Sequence, residues 1–257
     1  MKKNPYHFLI LNKLTSVSFA ASSTFLVMGG RGQKQTEVID LADASQLCTS
    51  AFGELESERI SAMGGLINEI PVLCGGYDSN NVYDTCILVG QNKNTIKMQE
   101  KRSNAASVVL NKETTGLNQG LWLMGGFSGS DGLISSELIT LDPATSVNGP
   151  AVGLISSCAV KYNSSHIYLI GGNDGSDSIN DVWIYNTILD TWTEGPKMNK
   201  ERYDHGCTVL HHEQGSWIVV AGSYNSKASK SVEILDLNKN IWIQGENKNN
   251  IIFFYCL

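Results

Sequence analysis

The chain has 257 residues, 42% of them hydrophobic, which is enough to bury one sizeable core and leaves no room for a second domain. With 25 acidic against 19 basic residues the net charge is −6, which argues against a nucleic-acid groove or an anionic membrane surface, since both reward a basic field. No run approaches the roughly 18 apolar residues of a membrane span.

Residues 1–14 place Lys2 and Lys3 ahead of Phe8-Leu9-Ile10-Leu11, a pattern that imitates a secretory signal. Asn12 and Lys13 interrupt it, and cleavage near Ala20 would remove strand residues, so a spare strand is the preferred reading. From residue 15 an apolar run ends repeatedly in glycine: Gly29-Gly30, Gly75-Gly76, Gly125-Gly126, Gly171-Gly172, and the single Gly222. Aligning Gly222 with the second glycines gives spacings of 46, 50, 46 and 50 residues, so 15–244 divides into units at about 15–49, 58–97, 103–150, 154–196 and 203–244. Residues 245–257 are a C-terminal tail, apolar enough for a strand from Ile251 to Leu257.

The fourth unit is the clearest. Strands are predicted at 154–160 and 167–170, then a loop at Asn173-Asp174-Gly175-Ser176-Asp177, then strands at 181–185 and 191–193, with Gly195-Pro196 closing the unit. Four short strands in about 45 residues cannot bury two sheet faces alone, so each sheet must stack on its neighbours. With no helical period between the strands, an all-β propeller is favoured over a helical solenoid. The glycine pair suits a strand turning sharply beneath a close neighbour, and a phosphate cradle is excluded because no helix follows it.

The fourth unit resembles the kelch repeat: Gly171-Gly172, Tyr185 and Trp192 match each element of it. In the fifth unit Gly222 stands for the pair, Leu235 for the tyrosine, and Trp242 falls at the tryptophan position. The others depart further, with Gln46 or Leu47, Thr95 and Asn148 where tryptophan is expected. The resemblance implies a kelch-type β-propeller of five recognisable four-stranded blades, incomplete or irregularly closed, because such propellers usually have six or seven. A five-bladed ring, a fragment, and a sixth blade made from both termini all remain open.

Cys74 and Cys86 lie symmetrically about Asn80 in a hairpin, and read either as a cross-strand disulfide or as two buried thiols. Cys158 and Cys207 occupy equivalent first-strand positions and read as core. Asn163-Ser164-Ser165, the one glycosylation sequon, sits on a predicted turn. Cytoplasmic placement is favoured over secretion.

No constellation for catalysis emerges. His211-His212-Glu213 falls on a hairpin loop without fixed geometry, His205 reads as structural, and the Asp- and Asn-rich loops lack the alternating ligands of a calcium site. No cofactor or metal is expected. What remains is a protein-binding surface on the loops after the glycine pairs and at the blade junctions. There Tyr77, Phe127, Tyr203 and Tyr224 are the expected contact aromatics, and Arg102 and Arg202 are expected to read acidic groups on a partner. The resemblance also brings three further readings: an extracellular kelch protein binding a cell-surface or matrix partner, which Cys74, Cys86 and the sequon at Asn163 favour; the substrate-binding part of a ubiquitin-ligase adaptor; and a propeller enzyme such as an oxidase or sugar isomerase.

Overall fold

A computed structural model describes residues 15–18, 24–30, 33–40, 49–90, 94–114, 116–141, 145–147, 153–225 and 230–245. It contains five antiparallel sheets of four strands each. Blade one is β1 (Thr15–Ser18), β2 (Thr24–Gly30), β3 (Gln33–Asp40) and β4 (Thr49–Glu54). Blade two is β5 (Met63–Ile67), β6 (Ile70–Cys74), β7 (Thr85–Leu88) and β8 (Thr95–Lys97). Blade three is β9 (Ala106–Leu110), β10 (Gly120–Met124), β11 (Ser136–Ile139) and β12 (Thr145–Val147). Blade four is β13 (Cys158–Lys161), β14 (His166–Asn173), β15 (Ser178–Asn186) and β16 (Thr191–Glu194). Blade five is β17 (Gly206–His212), β18 (Gly215–Ala221), β19 (Val232–Asp236) and β20 (Ile241–Gln244).

The first strand of each blade is innermost: β1 packs on β5, β5 on β9, β9 on β13, and β13 on β17. Among the described residues β17 makes no comparable contact with β1. Hydrogen bonds tie the blades at this inner edge, Asn104 N–H donating to Ser61 O, Ser156 N–H to Asn104 O, and Asp204 N–H to Ser156 O, at 3.0, 2.7 and 2.9 Å. All four residues sit at one equivalent position with φ between 50° and 56°.

The glycine pairs are explained by the blade that follows. A Cβ on Gly75 would lie 2.1 Å from Arg102 O, and one on Gly125 would lie 2.4 Å from Leu154 O, at φ +59° and +64°. The second glycine's N–H donates to that same carbonyl, Gly76 to Arg102 O at 2.9 Å and Gly126 to Leu154 O at 2.8 Å. Each pair is therefore a docking notch for the next blade. Gly222 corresponds to the first glycine, not the second, because its carbonyl takes the same arginine bond as those of Gly75 and Gly125.

Tyr185 pairs with Trp192 across β15 and β16, and both rings pack on the fully buried Trp122 of blade three, with centroids 4.8 and 6.0 Å away. Leu235 and Trp242 pair likewise, and Trp242 Nε1 donates to Pro196 O at 2.7 Å. Thr95 does not take the tryptophan position: it pairs with Ile87, two residues before the place aligned with Tyr185. The residues expected there in units one and three, Gln46 or Leu47 and Asn148, lie outside the described residues, as do 1–14 and 246–257. A cleft of about 690 Å³ opens between blades one and two, lined by Thr36, Leu55, Ile87, Val89 and Thr95. Trp192 fills the corresponding wedge between blades three and four.

Two disulfides are formed. Cys74 and Cys86 face each other across β6 and β7, bonded Sγ to Sγ. Cys158 and Cys207 are also bonded, with Cα atoms 6.0 Å apart, which corrects their reading as core thiols. The structure also puts them one residue out of step rather than at equivalent positions, Cys158 pairing with Ile170, one residue before Gly171, and Cys207 with Val220, two before Gly222; the packing of β13 on β17 brings the two together.

Candidate partner-binding face

Three arginines recur at the start of their blades, and each turns inward. Arg59 donates to Gly75 O, Thr85 O and Thr85 Oγ1. Arg102 does the same to Gly125 O, Ser135 O and Ser135 Oγ. Arg202 repeats the pattern on Gly222 O, Ser231 O and Ser231 Oγ, at 2.8, 3.0 and 2.7 Å. The bonds fasten the loop between second and third strands to the blade's own first turn. Blade four carries Leu154, fully buried, at this position.

Arg102 and Arg202 are therefore not on the surface: they are 1% and 0% exposed. Arg202 forms an ion pair with the equally enclosed Glu233 at 2.9 Å, and Arg102 lies 3.7 Å from the buried Glu137. Burial lowers the pKa of all three guanidiniums and raises that of the Glu137 carboxyl. The acidic groups these arginines read belong to their own blades, because a loop carrying two inward carbonyls needs a multidentate donor to satisfy them.

The aromatics have a different fate. Tyr77, Phe127, Asn173 and Tyr224 occupy one equivalent position, two residues after the first glycine. Each N–H donates to a residue at the blade's start: Ile60, Ser103, Ile155 or Tyr203. The side chains ring one end of the propeller; Tyr77 and Phe127 are half-buried, Tyr224 is 62% exposed, and its ring packs on Tyr203 at 5.6 Å.

The loops beyond them are held by their own side chains. Asp78 Oδ1 accepts from Asn80 N–H and Asn81 N–H, Ser128 Oγ from Ser130 N–H and Asp131 N–H, and Asp174 Oδ1 from Ser176 N–H and Asp177 N–H. The bond from the Tyr83 hydroxyl, then the two backbone donors, hold the Asp78 carboxyl below its ordinary range. The backbone donors of Asp177 and Ser176 do the same for Asp174. Loops fixed this way lose little conformational entropy when they bind.

Between the loops of blades two and three runs a groove of about 570 Å³, walled by Tyr77 and Phe127, with Val82, Lys101, Ser103 and Asn104 between them. Two of the four expected contact aromatics are thus brought together, while Tyr203 and Tyr224 form a separate pair on blade five. His205 is buried, with neither ring nitrogen bonded, and its pKa falls to about 3 through burial and then the nearby Arg202 charge. His211 lies at the opposite end, stacked on Tyr162 and bonded to Ser216.

Comparison with known proteins agrees with this architecture. The kelch motif family matches residues 156–199. The chain folds as a kelch-type β-propeller. It is 36% identical over 115 residues to mouse Kelch-like protein 23, which is 42% of this chain and 20% of that relative. A kelch repeat-containing protein of Dictyostelium discoideum is 30% identical over 136 residues, covering 48% of this chain and again 20% of the relative. By the matched stretch the chain spans only about a fifth of each of these relatives. The solved structure of YjhT superposes with a TM-score of 0.72 at 10% identity, covering 94% of this chain and 85% of that one, a likeness of fold alone.

No helix among the described residues is long and apolar enough to cross a membrane.

Proposed function

We propose that this kelch propeller is a non-catalytic module that binds a protein partner in the groove between blades two and three. The observation that carries the reading is that Tyr77 and Phe127 line one groove, on loops whose turns are already fixed by Asp78 and Ser128. Aromatics on rigid loops supply contact area at small entropic cost, which is the composition that dominates protein interfaces. The Tyr203–Tyr224 pair offers a second contact on the same end. A non-catalytic role is supported by the burial of His205, which together with the Arg202 charge lowers its pKa to about 3, far below the range useful to a general base at neutral pH. The same face would serve as the substrate-binding part of a ubiquitin-ligase adaptor or in a secreted protein.

The test compares proteins retained by the immobilised full chain with those retained by Tyr77→Ala/Phe127→Ala and by Ser130→Arg, which places a long charge at the groove rim. Truncating an aromatic at such a site costs about 2 kcal/mol, roughly 30-fold in affinity. Specific partners should be lost from both variants at an unchanged melting midpoint. Retention at the wild-type level by both would end this reading.

A further inference from the structure

The end of the propeller away from the groove carries a motif that partner binding does not use. Asn163-Ser164-Ser165 forms the turn between β13 and β14, and Asn163 is exposed there. Its Oδ1 accepts from Ser165 N–H at 2.9 Å, from His166 N–H at 2.8 Å and from the Ser165 hydroxyl at 3.2 Å. These bonds define the turn through the oxygen alone. Among the described residues the Nδ2 group makes no hydrogen bond, so a substituent on it displaces nothing.

We propose that Asn163 is a site of N-linked glycosylation and that the protein matures in an oxidising, glycosylating compartment. Three independent observations meet here. The sequence around Asn163 has the Asn-x-Ser pattern that such transfer requires. The spare nitrogen faces solvent, whereas the oxygen is committed to the turn. All four cysteines among the described residues are paired, Cys74 with Cys86 and Cys158 with Cys207. Two disulfides, one joining separate blades, are the mark of a chain folded outside the reducing cytosol.

The transfer balances as follows. Nδ2 of Asn163 attacks the anomeric carbon of an oligosaccharide carried on a polyisoprenyl diphosphate. The new C–N bond forms as the C–O bond to the diphosphate breaks, the lipid diphosphate leaves with the electron pair, and Nδ2 gives up one proton. The hydroxyl of Ser165 supplies the recognition feature two residues on. Position matters as well. Antiparallel connection puts the β13–β14 turn at the opposite end from the β14–β15 loop, so a glycan on Asn163 leaves the groove of Tyr77 and Phe127 open. The inference therefore stands or falls separately from the partner-binding proposal.

The decisive measurement uses the protein isolated from the cells that make it. Tryptic peptide 162–197, which contains Asn163, is sought by mass spectrometry before and after glycan release by a glycan amidase in ¹⁸O-water. The expected result is recovery of the peptide only after release, with ¹⁸O-labelled aspartate at position 163, and alkylation of Cys74, Cys86, Cys158 and Cys207 only after reduction. Recovery of unmodified Asn163 without release would overturn the proposal, and so would free thiols at these cysteines. In the same cells Ser165→Ala should abolish the modification and Ser165→Thr should keep it. Loss in both, with the protein folded, would also count against it.

Discussion

Replacing Arg202 with methionine tests whether this arginine belongs to the fold or to a partner. Arg202 donates hydrogen bonds to Gly222 O, Ser231 O, Ser231 Oγ and, from two nitrogens, Glu233 Oε1, and both members of the ion pair are 0% exposed. Methionine keeps the apolar stem but leaves Glu233 charged, buried and reduced to its bond from Asn199 N–H at 2.7 Å. Removing one partner of a buried ion pair costs about 3–5 kcal/mol, whereas an exposed arginine costs within about 0.5 kcal/mol. With a urea slope of about 3 kcal/mol/M, the unfolding midpoint should fall by about 1–1.7 M. The double variant Arg202→Met/Glu233→Gln removes the stranded charge and should lose less than the sum of the single changes, by on the order of 2 kcal/mol. An Arg202→Met protein with an unchanged midpoint but no partner binding would refute the inward assignment and return the residue to the surface.

The disulfides should contribute according to the loops they close. Cys158 and Cys207 are 49 residues apart and Cys74 and Cys86 are 12 apart. Paired serine replacement should therefore cost about 4 kcal/mol in the first case and about 3 in the second, read by urea unfolding of each variant. A smaller loss from the inter-blade pair would contradict that order. His205 predicts an acid-sensitive fold. Its folded pKa of about 3 lies below the ordinary 6.5, so between those values the unfolded chain takes up a proton that the folded one excludes. The stability this histidine confers is complete above about pH 6.5 and is lost as pH falls towards 3, at up to roughly 1.4 kcal/mol per pH unit. His205→Phe should flatten that slope and, by removing two unbonded ring nitrogens, hold or raise stability at pH 7; an unchanged pH profile would exclude His205 as its source.

The blade architecture was legible because its determinants are local. A glycine pair after an apolar run, a polar turn, and a tyrosine seven residues before a tryptophan each fix a short stretch of backbone, and their recurrence forces the sheets to stack. The arginines were not legible in the same way. Lys101-Arg102-Ser103 and Arg202-Tyr203-Asp204 read as polar junctions, and nothing within three residues says that the guanidinium turns under the next loop. The signal lies farther along the chain. Ser135-Ser136-Glu137-Leu138 and Ser231-Val232-Glu233-Ile234 share a Ser-x-Glu pattern about ten residues after the glycine, and these are the hydroxyl and carboxylate that receive Arg102 and Arg202. Arg59 makes the same clamp with Thr85 but has no carboxylate at that position, and stacks instead on Tyr83 at 3.7 Å.

The same distinction between local and inter-blade information separates the parts of the candidate site. Tyr77 and Phe127 could be placed on one end of the propeller because their position is counted from the nearest glycine. That they share a groove, while Tyr203 and Tyr224 pair elsewhere, depends on which blades are neighbours and how far apart their loops stand. Blade order also brought Cys158 to Cys207, two positions one residue out of step in their units, because β13 and β17 are adjacent inner strands. In a propeller, then, near-matching positions on consecutive inner strands are candidates for contact. At the start of a blade the contact is made within the blade instead: Arg59, Arg102 and Arg202 are each spent on their own loop between second and third strands, which fixes that loop from below and leaves its tip, beyond the glycine, facing solvent.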